Sequence, residues 1–159
     1  MDIPYQKFRE IVFQYLYSQD MGKADPEELV LLLSTQLSVS KNSVKLAESK
    51  ARLILARLDE LDNLIQKASL SYAFERIQSV ERNLLRLATY ELIHDSNIPP
   101  KVAISEAIRL ARKFATPESA RFVNAVLDNI FQQMKGDETD DAELNQAIQE
   151  LTDSEKELS

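Results

Sequence analysis

One histidine and no cysteine set a narrow limit on the side chains that could act as nucleophile, general base or metal ligand. A structural zinc site gathers several Cys and His ligands, and this chain offers only His94. A Ser-His-Asp triad would also have to be built on His94, and no nucleophile turn stands near it. Two glycines, Gly22 and Gly136, are too few for a glycine-rich phosphate loop. Carboxylates cluster at Glu27-Glu28, at Asp59-Glu60-Asp62 and in the last two dozen residues. None is matched with a second group that would make an acid–base pair, and solvation of helix surfaces accounts for them. His94 suits the negative end of a helix dipole. No catalytic residue, metal or cofactor is expected.

Basic and aromatic residues suggest binding instead. Ser105, Arg109 and Arg112 recur three or four apart, with Lys113 beside them and Arg121 on the following helix. They form either an ordinary solvated face or a patch that contacts phosphates. Between Ala115 and Phe122 a helix begins, and its unpaired N–H groups and dipole favour phosphate. Glu118 there opposes phosphate but suits the helix start. Phe122 lies at the edge of an apolar stripe, so it packs into the core or stacks on an unpaired base. Lys7 and Arg9 sit near the start of the first helix. That helix carries Phe8, Val12, Tyr15 and Leu16 on one side and Phe13 and Tyr17 on another, so either both sides are buried or Tyr17 meets a partner.

The elements that must position these residues are helical. Pro4 suits a first helical turn, and Met21-Gly22-Lys23 closes the helix that follows. Asp25-Pro26-Glu27-Glu28 combines a capping acid, a proline and a glutamate three residues after the cap, which starts a second helix. It carries Leu29, Leu32, Leu33 and Leu37. A third helical region spans about 41–57, and a fourth, after a bend, spans 59–68. A fifth over 76–94 buries Ile77, Val80, Leu84, Leu87, Ala88 and Glu91. Residues 95–100 form an extended connector. A sixth helix to about Ala115 buries Ile104, Ala107, Ile108, Ala111 and Phe114. A seventh, from Pro117 to about Met134, buries Val123, Val126, Leu127, Ile130 and Met134. The expected fold is all-α: about seven helices in a compact bundle, as two packed subbundles.

The chain has 159 residues and a formal charge of −7. Residues 136–159 hold nine acids and one base, a net −8, and leave residues 1–135 at +1. A helical domain over 1–135 and an acidic tail over 136–159, disordered or weakly helical, are expected. The tail's acids should repel RNA at long range. No apolar run approaches the roughly 20 residues of a membrane span, and Met1-Asp2-Ile3-Pro4 lacks the layout of a secretory signal. A soluble cytoplasmic protein follows.

Four segments together resemble the NusB family: Phe74 to Ile77 with Glu81 to Leu92, Ile98 to Ala107, Leu110 to Phe114, and Ser119 to Asp128. Lys7 to Glu10 and Gln14 to Tyr17 are similar to the family's first helix. The resemblance implies two helical subbundles, no catalysis, and binding of single-stranded boxA RNA as a heterodimer with NusE, a small-subunit ribosomal protein. It implies loading onto RNA polymerase and read-through in ribosomal RNA operons. It places RNA contacts at Lys7, Arg9, Glu118, Arg121 and Phe122, to which the basic face adds Arg112 and Lys113. It places NusE contacts at Tyr17, Glu75 and Glu81. Family members carry several arginines in the first helix, where this chain has only Lys7 and Arg9, so dependence on NusE is expected. Some members self-associate, which leaves a homodimer open. The alternative is a helical interaction or assembly module with little RNA affinity of its own.

Overall fold

The computed structural model describes residues 3–22, 25–69 and 73–158. Within them lie seven α-helices, a single 3-10 turn and no strand. Helix α1 (Tyr5–Asp20) starts directly after Pro4, whose φ of −58° is fixed by its ring. Gly22, at φ +70°, closes it in the left-handed conformation that glycine adopts without strain. Helix α2 (Pro26–Leu37) begins as its sequence prescribes, with the Asp25 side chain accepting from the Glu28 N–H. It ends at Ser38, a non-glycine residue with φ 54°. Helix α3 (Lys41–Leu55) is capped by Ser40. A two-residue bend at Ala56 and Arg57 separates it from α4 (Leu58–Ala68).

The fifth helix begins later than its periodicity suggests. Phe74–Arg76 is a 3-10 turn, and α5 runs Ser79–His94 from a Gln78 cap. Helix α6 (Pro100–Phe114) follows the extended connector and has proline in its first turn. Helix α7 is capped by Thr116, whose hydroxyl accepts from the Ser119 N–H at 3.0 Å. It does not end near Met134: it continues as one helix over Pro117–Leu158.

Helices α1 to α3 pack as one subbundle, with α3 lying between α1 and α2. Helices α4 to α7 form the second, in which α5, α6 and α7 pack against one another and α4 lies on α5 and α7. Contacts of α5 with α1 and α3 join the two, so a single core runs through both. The expected inner faces of α5 and α7 are the observed ones from Leu84 to Glu91 and from Val123 to Ile130. That of α6 is rotated. Ala103, Ala107, Leu110 and Ala111 occupy the centre, while Ile104 and Ile108 lie at its margin. Alanines let α6 approach its neighbours closely, so it turns its small face inward. On α2, Leu32 is half exposed and Val30 takes the inner position.

Candidate nucleic-acid interface

The α6–α7 corner gathers most of the residues with binding chemistry. Arg112 and Lys113 stand in the last turn of α6. Two linking residues later α7 begins, and Glu118, Arg121 and Phe122 lie in its first two turns. Arg112, Glu118 and Arg121 are exposed. Neither Arg112 nor Arg121 has a partner among the described residues. Phe122 is half-buried and packs against the core. The Lys113 ammonium is held by both oxygens of Glu10, each at 3.0 Å. This ion pair fastens α1 to the corner and brings Lys7, one turn earlier, to the same side. Arg109 is likewise tied, by Nε to Glu106 at 2.6 Å and by a terminal nitrogen to the Gln6 carbonyl at 3.3 Å.

Arg9 is placed elsewhere than a phosphate contact requires. Its side chain is 4% exposed and its Nε donates to Glu91 at 3.0 Å. Glu91 also receives Lys50 at 3.2 Å, and the guanidinium lies 4.1 Å from the centre of the Tyr5 ring. A carboxylate on the inner face of α5 must be paired, because an isolated buried charge costs several kcal/mol. Arg9 and Lys50 meet that need and clamp α1, α3 and α5 together.

A groove of about 320 Å³ adjoins the corner, lined among others by Arg76, Gln78, Glu81, Glu118 and Phe122. Glu81 thus shares a cleft with two residues of the corner. Burial pushes the Glu81 carboxyl above its ordinary range, partly offset by the hydrogen bond it accepts from the Gln78 N–H. That bond is one half of a capping box, in which the N3 glutamate reaches back to the cap residue. It holds the carboxylate in the groove while stabilising the start of α5. Glu75 is exposed on the 3-10 turn. Tyr17 is half-buried, its ring 6.1 Å from that of Phe13, which in turn lies 5.2 Å from Phe114.

A polar network that the sequence did not reveal fixes the α1 end of this surface. Asp20 accepts from Ser79 at 2.7 Å, Arg82 Nε at 3.2 Å and Asn83 at 3.0 Å. Arg86 spans from Asp20 to Asp62, meeting the latter through two bonds of 2.8 Å. Burial alone would raise the Asp20 pKa, but the hydrogen bonds from Arg82, Ser79 and Asn83 outweigh it and hold the group down to about 2. His94 ends α5 as expected and lies 2.9 Å from Glu60. The described residues contain no cluster of metal-ligating side chains, and none of their helices is long and apolar enough to cross a membrane.

Comparison with known proteins agrees with this architecture. The model of the NusB family matches residues 6–132. The transcription antitermination protein NusB of Chlamydia pneumoniae is 38% identical over 130 residues, which cover 82% of this chain and 81% of that protein. The structure of T. maritima NusB is 33% identical with a TM-score of 0.70, covering 83% of this chain and 93% of that one. A chain in the structure of antitermination factors NusB and NusE in complex with dsRNA is 27% identical with a TM-score of 0.70, covering 81% and 96%. The matches span both subbundles and every helix that builds the corner and the groove, and on that extent of likeness the chain belongs to the NusB family.

Proposed function

We propose that the chain is a transcription antitermination factor that binds boxA-type RNA as a heterodimer with NusE and promotes read-through by RNA polymerase in ribosomal RNA operons. The observation that carries this is the adjoining of two surfaces at one end of the bundle: an open cationic corner with an aromatic edge, and a groove holding an anchored carboxylate. Likeness to a protein solved together with NusE and RNA supports the same assignment. In this proposal Lys7, Arg112, Lys113 and Arg121 meet phosphates, Phe122 stacks on a base, and Glu118 orients the strand through a polar contact. Tyr17, Glu75 and Glu81 meet NusE, and Glu81 offers its carboxylate to a cation of that partner. Arg9 supports the surface from within by holding α1. The factor works in the cytoplasm and performs no bond chemistry.

A body of charge close to zero supplies little phosphate neutralisation, which dominates nucleic-acid affinity. The chain alone therefore binds RNA weakly, and NusE adds the remaining contacts. The test is RNA binding with and without NusE, on a boxA-like strand, a scrambled strand and a duplex control. Weak binding alone and sequence-dependent binding with NusE are expected. Equal affinity for boxA-like and scrambled strands in the presence of NusE would overturn the proposal. It would favour the second reading, a helical assembly module, to which the withdrawal of Arg9 into the interior also points.

A further inference from the structure

The extension of α7 past the core carries an apolar face that nothing covers among the described residues. Leu144, Ile148 and Leu151 recur four and three residues apart, which aligns them on one side of a helix. They are 59%, 53% and 67% exposed. We propose that this face docks a cationic amphipathic segment of a partner protein, independently of the RNA corner.

Three candidate occupants can be compared. The first is this chain's own corner. Leu144 stands 27 residues along α7 from Pro117, about 40 Å at 1.5 Å per residue, so a continuous helix cannot fold its tip back there. The second is another copy of the chain. Each extension carries a net −8, so pairing two would bring like charges together. Leu144, Leu151 and Leu158 repeat at seven residues, but Asp137, Asp141 and Glu155 interrupt the apolar series on either side. The apolar spacing therefore falls short of the three or four heptads that define a coiled coil. The third is a segment of opposite charge. Glu143 and Glu150 are exposed along one side of the apolar face, and Asp153 is exposed on the opposite side of the helix. Acids near a helix C-terminus also oppose its dipole, which favours cations there. A lysine- or arginine-bearing amphipathic helix would cover the three apolar side chains, meet Glu143 and Glu150 along one edge, and be drawn by the net charge of the extension. Hydrogen bonds from Gln146 to Glu150 and from Gln149 to Asp153, at 3.4 and 3.0 Å, help keep the face helical before a partner arrives.

The experiment uses the full chain and a fluorescent 18-residue amphipathic peptide of leucine and lysine, with a glutamate-for-lysine counterpart, followed by anisotropy. The lysine peptide is expected to bind one to one, to weaken at least tenfold against the Leu144→Ser/Ile148→Ser/Leu151→Ser variant, and to weaken severalfold between 50 and 300 mM salt. The glutamate peptide is expected not to bind. The triple variant should keep the melting temperature of the body and its RNA binding with NusE, so failure here is distinct from failure of the antitermination reading. No binding of the lysine peptide, or equal binding to the triple variant, overturns the proposal. So does a concentration-dependent dimer in sedimentation that the triple variant abolishes, which would make a second copy the occupant.

Discussion

At the scale of single residues, Arg9 and Phe122 divide the work of the corner in opposite senses. Arg9 follows Lys7 in sequence yet spends its charge on Glu91, and Phe122 stays half-buried at the edge of the core. Substituting each should separate fold from binding. Arg9→Gln strands part of a buried charge cluster, and urea titration is expected to show a loss of about 3 kcal/mol. Phe122→Ala should cost only about 1–2 kcal/mol of stability, since less than a whole core ring is removed, while weakening RNA binding with NusE about tenfold, the size of one lost base stack. A stability loss from Phe122→Ala as large as that from Arg9→Gln would assign the ring to the core. The partner of Arg9 stands 82 residues away, beyond the reach of any local pattern. A trace of it was nevertheless present: Glu91 falls on an otherwise apolar stripe, and such a carboxylate requires a cation from some other helix.

Among the elements, the joint between α1 and α5 is the most dependent on pH. The Asp20 pKa of about 2 lies below its ordinary value of 3.8. A folded-state pKa below the unfolded one contributes stability that is fully present above about pH 4 and is lost as pH falls toward 2. The shift corresponds to about 2 kcal/mol at neutral pH. Asp20→Asn should remove this and leave Arg82 and Arg86 less well paired. Urea midpoints are expected to drop for the variant at pH 7 and to converge with the wild type near pH 2; a constant gap at both pH values would contradict the assignment. Helix starts were readable wherever proline and a capping oxygen coincide, as at Asp25-Pro26 and Thr116-Pro117. The Asp20 network was not, because its members come from three helices and none is unusual in its own segment. The inner face of α6 was read one position off, because isoleucine outweighs alanine in hydrophobicity, whereas close packing of helices favours the smaller side chain.

For the whole molecule, charge is separated along a single axis. The family core, as matched over residues 6–132, ends where the acidic stretch begins. From Arg121 to Asp137, the first acid of the tail, is about 24 Å along α7, about three times the screening length of about 8 Å at physiological salt. The repulsion expected between tail and RNA is therefore strongly screened at the corner at physiological salt. The combined variant Glu143→Gln/Glu150→Gln/Asp153→Asn should leave RNA affinity with NusE within about twofold at 0.15 M salt. A gain of tenfold would mean that RNA runs along the extension. The persistence of α7 was illegible for a physical reason: beyond Met134 no packing periodicity with the core remains, and Gly136 normally weakens a helix by about 1 kcal/mol relative to alanine.

The continuity of α7 gives the molecule a lever arm. About 36 Å of helix stands beyond Met134. A tilt of about 10° where α7 seats against α5 and α6 would swing its far end by about 6 Å, at the same bond geometry per residue. Because the short arm of that lever ends at the corner proposed to meet RNA, any engagement there that re-seats α7 would be magnified at the acidic tip, and force applied to the tip would be felt at Phe122.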